Sequence, residues 1–276
     1  MRPYEIPERN INEENSTLYS VYADIENVLK APIVCSMFRV LGHYEKFMQI
    51  GWQQMRRNLL TFEGKRAAEA LQFPQISPSI PKTEWSRYYE KSTIERIRST
   101  IHAFHFIHPK LLLTITAWVE SLAGRSNEGT GHVKGTIHTG ILPEFSRVEL
   151  IKVSEAPLPI RALLDDIAEQ LHDFGPSDLA RALAHYPQFL RLSWRSMRGY
   201  VGTKDYEFLK SKLLGEAIRL TKTLPFRVEV DLSKLKEVYS PAELAGLMGI
   251  LANYQRSLPE RIIEGEFYRR SLIESL

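Results

Sequence analysis

Apolar residues recur along this chain at intervals of three and four rather than two. Phe47, Ile50, Gly51, Met55 and Leu59 fall on one side of a helix, and so do Tyr206, Leu209, Leu213, Ala217 and Leu220. Two longer helices are announced by capping boxes, Ser92-Thr93-Ile94-Glu95 and Ser240-Pro241-Ala242-Glu243, in which a Ser accepts from the third amide and a Glu returns to the first. The first box leads into Ile94, Ile97, Ile101 and Phe104, the second into Leu244, Leu247, Met248 and Leu251. Each run is followed by a proline, Pro109 or Pro259, which suits the first turn of a further helix because the N–H it lacks has no partner there. No stretch alternates long enough to demand a sheet, although Arg147 to Val153 reads as a short isolated strand. The pattern predicts an all-α protein.

The chain also repeats itself. Leu41, His43, Tyr44, Phe47, Trp52, Met55 and Arg56 recur 142 residues later as Leu183, His185, Tyr186, Phe189, Trp194, Met197 and Arg198. These seven identities in sixteen positions compare with about one at background composition. Upstream, Asp24-Ile25 and Leu29 pair with Asp166-Ile167 and Leu171 at the same offset. The reading is of two tandem copies of a helical unit, residues 1–123 and 159–276, forming an internal pseudo-dimer. Residues 124–158, rich in Gly, Pro, Ser and Thr, separate them as a linker, and 73–83, with Pro74, Pro78 and Pro81, reads as an extended surface loop. Trp52, Trp194, Tyr44 and Tyr186 are expected as core anchors across the duplicated interface, with His43 and His185 as hydrogen-bonding residues where matching helices start. A cleft between the copies is the expected place for a site.

Composition narrows the function. With 276 residues and 43% hydrophobic residues, the chain can bury a large core. Its 36 Lys and Arg against 33 Asp and Glu leave a formal charge of +3, with the basic residues scattered, so no nucleic-acid partner is indicated. The longest apolar stretch, Leu111 to Val119, is too short to span a bilayer, and Met1 to Arg9 lacks the apolar centre of a signal peptide. A single cysteine, Cys35, leaves no internal disulfide. Cytoplasm is the expected location, without membrane association.

Candidate chemistry concentrates at two places. Gly175-Pro176-Ser177-Asp178 reads as a tight turn into a helix whose free amides can hold a small carboxylate; Asp178 is either a catalytic carboxylate or a complement to the helix dipole. His108 is either a base titrating near neutrality or a loop or capping residue ahead of Pro109. His102, His105 and His108 recur every three residues, but no second ligand-bearing element accompanies them, so neither a metal nor another cofactor is expected. Gly129 to Thr136 lacks the Gly-Lys-Ser/Thr ending of a phosphate loop and reads as linker.

Val21-Tyr22-Ala23-Asp24-Ile25, Lys30-Ala31-Pro32, Phe38-Arg39-Val40-Leu41, Ala103-Phe104, Pro109-Lys110, Leu112-Leu113 and Ile115-Thr116-Ala117 are similar to segments of one family, as are Glu120-Ser121, Gly175-Pro176, Glu243-Leu244-Ala245-Gly246-Leu247 and Tyr254-Gln255-Arg256. Over nearly its whole length the chain resembles the group I 2-haloacid dehalogenases. The resemblance implies an all-helical duplicated fold that hydrolyses both enantiomers of short 2-halocarboxylic acids. It also implies an aspartate that activates water, an asparagine that helps hold it, no covalent intermediate, and inversion. The family asparagine position is occupied here by His108, and the family aspartate position by Leu179, with Asp178 one residue earlier. Asp178 and His108 are therefore the catalytic candidates, and Ser177, Leu179, Tyr254, Ile33, Cys35 and Ser36 the substrate-binding ones. A small carboxylic acid is the expected partner, and a homodimer is left open. Two alternatives stay open: a lapsed member that binds a small ligand without turnover, and a His-based metalloenzyme.

Overall fold

The computed structural model describes residues 8–9, 16–145 and 147–273; the Met1 to Pro7 stretch read against a signal peptide lies outside them. The described residues form α1 (Ser16–Leu29), α2 (Ser36–Leu41), α3 (Glu45–Leu59), α4 (Phe62–Gln72), α5 (Lys91–Leu122), α6 (Leu158–Gln170), α7 (Asp178–Leu183), α8 (Pro187–Arg198), α9 (Lys204–Thr221), α10 (Leu232–Lys236) and α11 (Pro241–Ile273). They contain no strand, and none of their helices is long and apolar enough to cross a membrane. Of the expected Arg147 to Val153 strand, residues 147–152 are irregular and Val153 opens a 3-10 turn, Val153–Glu155. The segment has no second strand to pair with, and Ile151 donates its N–H instead to the Arg181 carbonyl at 3.3 Å.

The expected amphipathic faces are the buried ones: Phe47, Gly51, Met55 and Leu59 on α3, and Tyr206, Leu209, Leu213, Ala217 and Leu220 on α9. At the centre α5 and α11 pack on each other more extensively than any other helix pair. The C-terminal half of α5 is apolar nearly all round, with Leu111, Leu112, Leu113, Ile115 and Trp118 at most 1% exposed, and such a helix has to be enclosed by others.

Neither Pro109 nor Pro259 starts a new helix. Both lie inside one continuous helix, of 32 residues for α5 and 33 for α11. An internal proline costs a backbone hydrogen bond, about 3 kcal/mol; here both prolines are in the most buried stretch, where packing from every side holds the helix together. Only one capping box forms. Ser240 and Glu243 exchange bonds at 3.3 and 2.8 Å. Ser92 instead falls inside the first turn of α5, which starts after extended Glu90, and Glu95 pairs with Arg98 at 2.6 Å.

Helix starts recur at a fixed interval. Ser36 opens α2 and Asp178 opens α7; Glu45 and Pro187 open α3 and α8; Phe62 and Lys204 open α4 and α9, every pair 142 positions apart. Trp52 Nε1 donates to Asp24 at 2.8 Å, and Trp194 Nε1 to Asp166 at 2.7 Å. Both indoles thus tie α3 to α1 and α8 to α6 within their own halves, not across an interface between halves. Residues 124–158 are not a loose tether: they bridge Thr61 to Thr136 and Asn127 to Val228, and Gly140 donates to the Asn27 carbonyl. The 73–83 loop is irregular as expected, but Ile76 and Ile80 pin it to the core.

Candidate functional site

A cleft of about 560 Å³ opens where the starts of α2 and α7 meet the middle of α11, the 173–176 segment and the 150–154 segment, which ends in a 3-10 turn. Three arginines, Arg39, Arg181 and Arg261, line it together with Ser36, Asp173 and Tyr254. Asp178, only 3% exposed, sits behind its wall as the first residue of α7. One carboxylate oxygen accepts the Ser36 N–H at 2.6 Å; the other accepts from Arg39 Nη2 at 2.9 Å and faces Arg181 Nη1 at 3.5 Å. Burial alone would raise the Asp178 pKa, but Arg39, Arg181, the Ser36 N–H and Arg261 outweigh it and hold the carboxyl below the usual aspartate range. The ionised form of Asp178 is thus favoured despite its burial. Glu8 joins the two arginines outside it, 3.0 Å from Arg39 Nε and 2.8 Å from Arg181 Nη1.

His108 is neither in a loop nor ahead of a helix. It lies inside α5, 2% exposed, with its ring tilted against Phe104. Burial pushes its pKa down to about 3, Arg261 acts in the same direction, and Asp178 opposes them. The ring is therefore neutral near pH 7 and able to take part in a hydrogen bond as donor or acceptor. Its Nδ1 is buried with no hydrogen-bond partner among the described residues.

Of the other expected contact residues, Ser36 and Tyr254 line the cleft; Ser177, Leu179, Ile33 and Cys35 are buried beyond its lining. Ser177 caps α7, its Oγ accepting from the Ala180 N–H at 3.1 Å while donating to Glu264 at 3.3 Å. One of the amides expected to hold a ligand is thereby already used. Burial raises the Cys35 thiol far above its ordinary pKa, so this cysteine is no nucleophile. The three histidines of α5 do not converge on one point: His105 lies 3.0 Å from Glu266 and 3.2 Å from Gln72. Among the described residues no group of three His, Cys, Asp or Glu side chains is placed to hold a metal ion.

Sequence reasoning missed the cations. Arg39 and Arg181 had a signal, since they stand 142 residues apart in the same register as Ser36 and Asp178. Arg261 had none. A buried arginine two residues after a proline looks in sequence like any charged helix position.

The arrangement is an all-helical scaffold with a cationic cleft over a buried carboxylate whose ionised form its arginines favour. Residues 32–177, more than half of the chain, match the family model described as "Halocarboxylic acid dehydrogenase DehI", and the chain belongs to this family. It is 27% identical to a configuration-inverting 2-haloacid dehalogenase of Alcaligenes xylosoxydans xylosoxydans, over 94% of this chain and 90% of that protein. A second configuration-inverting 2-haloacid dehalogenase, from Pseudomonas sp. (strain 113), is 24% identical over 92% and 87%. Among solved structures, a D-2-haloacid dehalogenase in complex with L-LA superposes with a TM-score of 0.88 over 97% of both chains, at 18% identity. That likeness shows a shared helical fold.

Proposed function

We propose that this protein is a hydrolase that displaces halide from C2 of a short 2-halocarboxylic acid by direct attack of water. The observation that supports this reading is that a buried carboxylate, Asp178, lies within electrostatic reach of a buried neutral imidazole, His108, whose Nδ1 has no partner among the described residues. An attacking water held between them loses one proton to Asp178 as its oxygen bonds to C2. The carbon–halogen electron pair leaves with the halide, and backside attack inverts the centre. His108 orients the water and never needs to carry charge, so a pKa of about 3 does not disable it. Hydrolysis needs neither an electron carrier nor a covalent ester. Ser36 and Tyr254 are the contacts to substrate, while Ser177, Leu179, Ile33 and Cys35 support the wall from behind.

The reading is tested by chloride release from D- and L-2-chloropropionate, with Asp178→Asn and His108→Ala as controls. Release by the wild type and loss in both variants supports it. No release above the variants' level rejects it and leaves a binding protein of the same fold.

The scaffold reading is a tandem duplication, with residues 1–123 and 159–276 as the copies and 124–158 connecting them. The common 142-residue interval between helix starts and the two Trp–Asp bonds, each spanning 28 positions, support it. A cytoplasmic location and a homodimer are carried as part of the same proposal; light scattering on the purified chain tests the second.

A further inference from the structure

Among the arginines of the cleft, Arg261 has a buried side-chain donor that no described residue satisfies. Its side chain is 7% exposed, and Nη2 donates to Asp173 Oδ2 at 2.6 Å. Asp173 is itself fixed, its other oxygen accepting from the Phe174 N–H at 2.9 Å and from Asn253 Nδ2 at 3.4 Å. The Tyr254 ring lies 5.2 Å from the guanidinium carbon, so the head group is oriented from two directions. Nε, however, is buried without a hydrogen-bond partner among the described residues. Buried guanidinium donors without acceptors are costly, and this one belongs to a side chain that lines the cleft.

The neighbouring arginines are mainly engaged by the protein itself. Arg39 donates to Glu8, Asp178 and the Val34 carbonyl, and Arg181 to Glu8 and the Ile151 carbonyl. A planar guanidinium with open donors recognises a carboxylate better than any other side chain does. Both Asp178 and His108 lie within the electrostatic reach of Arg261.

We propose that Arg261 receives the carboxylate of a short 2-substituted carboxylic acid, with Asp173 and Tyr254 holding its guanidinium in place. C2, one bond away from that carboxylate, then lies toward Asp178 and His108. What happens at C2 rests on the dehalogenase reading; recognition of the carboxylate does not.

The experiment is calorimetric titration of the full-length protein with propionate and, separately, propionamide, for wild type, Arg261→Gln and Arg261→Lys, alongside halide-release kinetics with 2-chloropropionate. The wild type is expected to bind propionate and not the amide. Arg261→Gln is expected to weaken propionate at least about tenfold, Arg261→Lys less, and KM to rise more than kcat falls. Equal binding of acid and amide by the wild type, or propionate binding unchanged in either variant, overturns the proposal. Should Arg261→Gln fail to fold, as circular dichroism would show, the lysine variant and the amide comparison decide it. Arg261-dependent propionate binding without halide release from the wild type keeps this inference and removes the dehalogenase reading. Halide release with an unchanged KM in Arg261→Lys does the reverse.

Discussion

Ser36 donates its backbone N–H to the carboxylate of Asp178 at 2.6 Å, and the two residues hold the same place, 142 positions apart, as first residues of α2 and α7. Around them the arginines keep the correspondence, Arg39 in α2 answering Arg181 in α7. The equivalence breaks at the centre, where one helix start presents an amide and the other a carboxylate. Asp178 thereby sits as the buried anion between Arg39 and Arg181, with Glu8 bridging the same two cations from outside, and the candidate chemistry lies where the two helix starts differ.

Replacing that anion removes the proposed base. Asp178→Asn keeps an acceptor for the Ser36 N–H but leaves Arg39 and Arg181 without their shared buried charge. Chloride release should fall about 10²- to 10⁴-fold, the range for loss of a general base. Breaking a buried ion pair from one side should cost about 3 kcal/mol, seen as a lower urea midpoint.

The acid limb of activity should depend on Arg39. In the wild type the folded Asp178 pKa lies below its unfolded value, so the associated stability is present above the unfolded pKa and is lost as pH falls through the folded one. Activity should accordingly persist to pH values below the ordinary aspartate range. Arg39→Gln removes the strongest opposing charge, and its kcat/KM profile should lose activity at a higher pH than the wild type does. Coincident acid limbs would show that Asp178 is not the group titrating.

His108 should make the fold acid-sensitive. Its folded pKa is about 3, against about 6.5 for an unfolded histidine, so between those values the unfolded chain holds the proton and the native state does not. Stability from this residue is intact above about pH 6.5 and declines as pH falls toward 3, by about 1.4 kcal/mol per unit. Urea titrations of wild type and His108→Gln at pH 7, 5.5 and 4.5 should differ in slope by that amount.

The two tryptophan ties should act alike and independently. Asp24→Ala strands Trp52 Nε1, and Asp166→Ala strands Trp194 Nε1, at matching sites in the two halves. Each should cost about 1–2 kcal/mol, and the double variant their sum, since neither site shares a partner with the other. The partly exposed Arg56 and Arg198 pairs add little because water screens them. Chemical denaturation of the three variants gives the comparison.

Much of the scaffold was legible in the sequence. The buried faces of α3 and α9, the Ser240 cap and the irregular 73–83 loop follow from local signals, because helical periodicity and capping depend on residues three or four apart. The prolines misled for the same reason. By local rules Pro109 and Pro259 end one helix and start another, and only the enclosure of α5 and α11 overrides the lost hydrogen bond. Of the residues the sequence named, Ser36 and Tyr254 line the cleft, Asp178 is bonded to Ser36 and Arg39 in its wall, and His108 is buried within electrostatic reach of Asp178 and Arg261.

The amino-acid order by itself determined the helices, the 142-residue recurrence and the residues able to do chemistry. Tertiary structure alone decided their ionic state and company. It buried His108 until it became neutral, locked Asp178 between Ser36 and Arg39, and fixed Arg261 on Asp173 with one donor left open. Charge, solvation and hydrogen-bond supply are set by neighbours brought together from distant parts of the chain, and no pattern of residues three or four apart encodes them.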